Sequence, residues 1–206
     1  MSHTLSIKHA GEPLETAQKA LIMLHGRGAS AESILTLGQI LNIEGYSLLA
    51  PQATNSTWYP HSFMASVEDN EPWLSSAIDI VKKTVNMVLE AGIEKKDIFF
   101  LGFSQGACLV SEYTARYAQR YGGIVAFTGG LIGEEIDRSN YSGDFAQTPF
   151  FFGTSDPDFH VPVERVKDSA SIAREMNADV TLKVYPNRGH TISEDEIKQV
   201  NSLIFK

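Results

Sequence analysis

Ile98-Phe99-Phe100-Leu101-Gly102-Phe103-Ser104-Gln105-Gly106 is the stretch on which the fold turns. Residues 98–102 are apolar almost throughout, as in a strand of a parallel sheet covered on both faces. Residues 106–117 change period: Leu109, Val110, Tyr113 and Tyr117 fall on one helical stripe. Between the two lies Gly-x-Ser-x-Gly, from Gly102 to Gly106. A serine on so sharp a strand-to-helix turn stands clear of its neighbours, and glycine flanks it because a Cβ there would strike nearby backbone. The plain alternative is a βα turn without chemistry, and the strand before and helix after weigh against it.

The same alternation continues in both directions. Strands are predicted at 4–8, 20–25, 46–50, 123–128, 149–153 and 180–185. A helix is predicted over 72–91, where Ala77, Ile78, Val81, Val85, Val88 and Leu89 form a stripe that Gly92 ends. Another spans 162–176 behind Pro162, with Val166, Ala170, Ala173 and Met176 on one side. Ser193 and Glu196 make a capping box, and Ile192 can staple to Ile197, so a last helix starts at Ser193. This pattern predicts a three-layer α/β fold around a mostly parallel sheet of about seven strands. At 206 residues without repeats or linker-like tracts, one domain over 1–206 is expected. Ligands of such sheets gather at the carboxyl ends of the strands.

Composition removes several function classes. Lys and Arg total 17 against 25 Asp and Glu, a formal charge of −8, so neither nucleic acid nor an anionic membrane is an expected partner. Cys108 is the single cysteine, which excludes an intrachain disulfide framework and a Cys-rich zinc site. The first residues do not read as a secretory leader, and no apolar run is long enough for a membrane span, so a cytoplasmic protein is expected. Oligomeric state is not readable from the pattern.

A serine nucleophile needs a base, and the base an orienting carboxylate, in the chain order Ser, Asp or Glu, His for this architecture. Only His160 and His190 follow Ser104. His190 lies just past the last strand and just before the capped helix, where a loop can carry it over the strand ends. Asp156 and Asp158 compete as the acid. Asp158 is preferred, because it stands four residues before the proline that opens the next helix. Two NH groups must also face the developing oxyanion. Gln105, following the nucleophile, offers one, and Arg27 in His25-Gly26-Arg27-Gly28 the other. Aromatic residues in 57–64, namely Trp58, Tyr59 and Phe63, are candidates for lining a substrate pocket or for capping the core, and Phe159, Leu131 and Ile132 are weaker ones. Cys108 reads as a buried small apolar residue. His160 with Asp156 and Asp158 resembles a metal cluster on paper but makes a poor site, so no metal is expected.

With these motifs together, the sequence resembles the phospholipase/carboxylesterase family of α/β-hydrolases, related to the acyl-protein thioesterases. The resemblance rests on His25-Gly26-Arg27-Gly28, Gly102-Phe103-Ser104-Gln105-Gly106 and Gly189-His190. It implies a Ser-Asp-His triad, no cofactor and hydrolysis of carboxylic esters or thioesters. The family's Asp-x-x-Val-Pro segment matches Asp158 to Pro162, whereas its Gly-x-x-Asp spacing falls on Asp156, leaving this loop two residues longer. The expected activity is a serine carboxylesterase acting on a small-molecule ester through an acyl-enzyme. Thioesterase and lysophospholipase activity remain open, as does a hydrolase-fold protein that binds a ligand without turning it over. A dienelactone hydrolase is less favoured, since cysteine typically stands there at the nucleophile position.

Overall fold

The structure is a computed structural model and describes residues 2–206. Seven strands form one sheet: β1 (Ile7–Gly11), β2 (Lys19–Leu24), β3 (Tyr46–Pro51), β4 (Ile98–Phe103), β5 (Gly123–Phe127), β6 (Pro149–Asp156) and β7 (Asp179–Pro186). Their spatial order is β1-β3-β2-β4-β5-β6-β7, and all neighbours are parallel except β1 against β3. This is the α/β-hydrolase fold. Helices α1 (Ala31–Leu35), α2 (Val67–Asn70), α3 (Trp73–Glu90), α4 (Gln105–Arg116), α5 (Val163–Glu175) and α6 (Glu194–Leu203) connect the strands.

Successive side chains of a strand face opposite ways, and the core divides accordingly. Ile22, Leu24, Phe100, Ala126 and Phe152 join Val81, Leu109 and Val166 of α3, α4 and α5. Leu21, Met23, Leu101, Val125 and Phe151 join Ile34 of α1 and Val200 of α6. The near-continuous apolar strands are thus the middle layer of three.

Most predicted elements lie within one or two residues of the observed ones. Two differ in ways that matter. The first strand begins at Ile7 rather than at residue 4, because residues 3–6 are held by other bonds: the His3 NH donates to Ser76 Oγ (2.8 Å), and the Gln52 NH donates to the Ser6 carbonyl (2.8 Å). Strand β6 runs three residues beyond the predicted end, so Asp156 is its last strand residue, paired with Pro186, and not a loop residue.

Glycine is obligatory at the β4–α4 turn. A Cβ on Gly106 would lie 2.1 Å from the Leu24 carbonyl oxygen, and one on Gly102 would lie 2.4 Å from that of Gly106. Helix α4 therefore starts directly against the end of β2, bringing residue 104 beside the loop that follows β2.

Candidate active site

Ser104 occupies φ 55°, ψ −120°, a backbone region that side-chain-bearing residues seldom enter. Its NH donates to the Phe127 carbonyl (2.9 Å), and its carbonyl accepts from the Cys108 NH (3.0 Å), so strand β5 and helix α4 both hold the turn. The hydroxyl lies 2.7 Å from Nε2 of His190, and Nδ1 of the same ring lies 2.8 Å from Oδ2 of Asp158. A carboxylate only accepts, so Nδ1 carries the proton and Nε2 is free to accept from the serine.

His190 reaches Ser104 across 86 residues because its loop is pinned at both ends. The Arg188 NH donates to Ser155 Oγ (3.0 Å), and Gly189 turns the chain at φ 72°. On the far side Ser193 caps α6, accepting from the Glu196 NH (3.2 Å) while Glu196 Oε2 accepts from the Ser193 NH (2.7 Å). Ile192 and Ile197 pack in the same apolar cluster. The Glu196 carboxyl occupies space that only glycine leaves at 153, since a Cβ there would sit 2.1 Å from Oε1. Burial pushes that carboxyl up, against the hydrogen bonds from Ser193 that favour its charged form.

Asp158 is held by its own loop. Oδ1 accepts from the His160 NH (2.7 Å) and the Val161 NH (3.0 Å), and its side chain is fully covered. Burial alone would raise its pKa. The two NH donors and the His190 ring outweigh burial, so the carboxyl lies below the ordinary aspartate range. Asp156 is exposed at the end of β6, and its backbone carbonyl accepts from Asn187 (2.9 Å); it is not in the Ser104–His190 chain. Among the described residues no cluster of three or more His, Cys, Asp or Glu side chains is arranged to hold a metal ion.

A cavity of about 430 Å³ opens over Ser104 and His190. Tyr59 and Phe63 stand in its wall, as do Arg27, Gln105 and Cys108. Gln105 is the first residue of α4, so its NH has no acceptor within the helix. Its side chain also sets the wall: Oε1 accepts from the Trp58 NH (2.9 Å), and Nε2 donates to the Tyr59 carbonyl (2.8 Å). Cys108 is fully buried, which pushes its thiol up to about 12.

Four expected pocket residues are not in the wall. Trp58 is wholly buried, its Nε1 donating to the His25 carbonyl (2.9 Å) and its ring 5.1 Å from that of His25, so it supports the loop after β2 from beneath. A buried indole NH needs such an acceptor. Phe159 is 97% exposed, because Asp158 draws the NH groups of residues 160 and 161 inward and leaves residue 159 at the crest of the turn. Neither Leu131 nor Ile132 lines the cavity. The wall instead includes Pro60, His61, Ser62, Val161 and His160, whose ring meets that of His190 edge-on at 4.9 Å.

His25, named from the sequence only as the first residue of the His25-Gly26-Arg27-Gly28 motif, has a structural role of its own. Fully buried, it accepts from the Ala53 NH at Nε2 (3.1 Å) and so presents Nδ1–H to the Gly26 carbonyl (2.8 Å). The Gly28 NH donates to the Ser56 carbonyl (2.7 Å). These bonds fix the backbone on either side of Arg27.

The fold and a hydrogen-bonded serine, histidine and aspartate on the strand ends are those of a serine hydrolase. Residues 6–206 match the sequence pattern of the phospholipase/carboxylesterase family. The chain belongs to that family. It is 52% identical to a phospholipase/carboxylesterase from Dyadobacter fermentans whose crystal structure superposes with a TM-score of 0.99, over 100% of this chain and 99% of that one. Acyl-protein thioesterase 1 of Saccharomyces cerevisiae is 26% identical over 94% of both chains. Carboxylesterase SOBER1 of Arabidopsis thaliana is 23% identical over 91% of this chain and 90% of its own.

Proposed function

We propose that the protein hydrolyses carboxylic esters with Ser104 as nucleophile, His190 as base and Asp158 as the acid that orients it. The observation that carries this reading is the continuous chain from Ser104 Oγ through the imidazole to Asp158, 2.7 and 2.8 Å in its two links. His190 Nε2 takes the hydroxyl proton as Ser104 Oγ attacks the ester carbonyl. The NH groups of Arg27 and Gln105 receive the oxyanion, each worth roughly 2.7–4 kcal/mol in the transition state. His190 then protonates the departing alcohol, and water repeats the sequence to release the acid. Asp158 holds the Nδ1–H tautomer and balances the imidazolium without taking its proton.

The reading includes a single domain over 1–206 and a cytoplasmic setting, where a single unpaired thiol such as Cys108 is the ordinary condition. Among the described residues no helix is long and apolar enough to cross a membrane. A thioester substrate is the second reading, favoured by the likeness to the yeast acyl-protein thioesterase over nearly the whole chain.

The test is a panel of short, medium and long acyl esters and thioesters with wild type and Ser104→Ala, alongside labelling by a fluorophosphonate. Wild type should turn over and be labelled, and the Ala variant should do neither while keeping its circular dichroism. A variant with near-normal ester turnover overturns the assignment.

A further inference from the structure

The cavity over Ser104 carries a cation on a chain that is acidic as a whole. The protein carries a formal charge of −8. Yet the wall holds Arg27 and no aspartate or glutamate. Arg27 decides the matter. Its guanidinium donates to the carbonyls of Pro60 (2.8 Å) and His61, both in the same wall. Two carbonyl dipoles fix its position but cancel no charge. Among the described residues, no carboxylate lies within ion-pair distance of it. A guanidinium has five N–H donors, and these two bonds leave three of them unused. The site thus holds a positioned, uncompensated cation beside the nucleophile.

We propose that the preferred substrate is an ester carrying a second, anionic group, a carboxylate, which the Arg27 side chain binds at the cavity. The inference rests on the esterase reading above and adds the charge of the substrate to it. A carboxylate matches the planar fork of an arginine, and a pre-positioned fork loses little freedom on binding. Arg27 is exposed at the cavity mouth, so a neutral alkyl chain would leave the same N–H groups to water and gain nothing from them. The volume, about 430 Å³, suits a small diacid monoester.

The experiment compares, on the full-length protein, monoethyl esters of three- to six-carbon diacids with their terminal amides, which have the same shape without the charge. Ethanol release gives kcat/KM for each, and acetoxyacetate against its amide places the charge on the alcohol half instead. The carboxylate should exceed the amide by about five- to tenfold for at least one of these esters, the advantage of a charge-assisted over a neutral hydrogen bond. The ratio should fall towards one in Arg27→Gln and persist in part in Arg27→Lys. In wild type it should also shrink between low salt and about 0.5 M salt, where the screening length is roughly 4 Å. A wild-type ratio of one or less for every ester, acetoxyacetate included, or a ratio unmoved by both Arg27→Gln and salt overturns the proposal. Turnover of the amides without charge preference sinks this inference alone. Absence of turnover together with absence of fluorophosphonate labelling sinks the esterase reading and this inference with it.

Discussion

Replacing Asp158 with Asn exchanges one acceptor oxygen for an NH2 group and leaves the shape almost unchanged. The surrounding donors decide which way the amide faces. Oδ1 of Asp158 already accepts from the NH groups of residues 160 and 161, so the amide oxygen must keep that place. The new NH2 then points at Nδ1 of His190, 2.8 Å away. It donates there, Nδ1 loses its proton, and the proton moves to Nε2, the atom that must accept from Ser104 (2.7 Å). A base in the wrong tautomer lowers kcat by about 10⁴, or roughly 5.5 kcal/mol of transition-state stabilisation. Asp156→Asn is the matched control: that residue is exposed and outside the chain, so kcat should change by no more than about twofold. The assay is hydrolysis of nitrophenyl acetate, with melting temperatures to show that both variants fold. If Asp156→Asn is the variant that loses activity, or if Asp158→Asn keeps a tenth of wild-type kcat, the tautomer argument is refuted.

Gln105→Ala strips the partners from the Trp58 NH and the Tyr59 carbonyl, both buried, and should destabilise the protein by about 2–4 kcal/mol while raising KM as the cavity wall loosens; unchanged urea midpoint and KM would show that the wall is held otherwise. Gly106→Ala forces a methyl to 2.1 Å from the Leu24 carbonyl and should cost on the order of 3 kcal/mol, roughly 6–12 °C in Tm; a calorimetric Tm equal to wild type would contradict the contact. Glu196 titrates with its folded pKa raised, so the native state holds the proton more tightly than the unfolded chain, and stability declines as pH rises from about 4.3 through the folded value. Glu196→Gln keeps an acceptor for Ser193 but cannot ionise, so its Tm should gain on wild type over that interval; a difference independent of pH between 4 and 8 contradicts the sign.

The framework of the fold was legible because its signals are local. Strand β4, the Gly-x-Ser-x-Gly turn and helix α4 differ in period within twenty residues, and Ser193 with Glu196 marks the start of α6 through a contact three residues long. His190 followed from chain order and from its place before that cap. Asp158 was chosen by counting back from Pro162; the structure adds why Asp156 stands aside, through three further residues of β6 whose pairing with β7 sequence period did not reveal. The cavity wall was only half read. Trp58 and Tyr59 are neighbours of equal apolar character, and what separates them is a bond from the indole to His25, 33 residues away, and the grip of Gln105 from 47 and 46. Such contacts leave no periodic trace. The Arg27 bonds to residues 60 and 61 are of the same kind.

The segment from Asp158 to Val161 contributes the oriented carboxylate, both NH groups that hold it, and two side chains of the cavity wall. On the proposed mechanism, rate and selectivity are therefore written on the same four consecutive positions. A mutant library aimed at substrate scope here must leave the backbone of 160 and 161 undisturbed, so proline at either position is barred while their side chains remain open to change. Position 159, facing outward, is the natural place to attach a reporter dye beside the entrance.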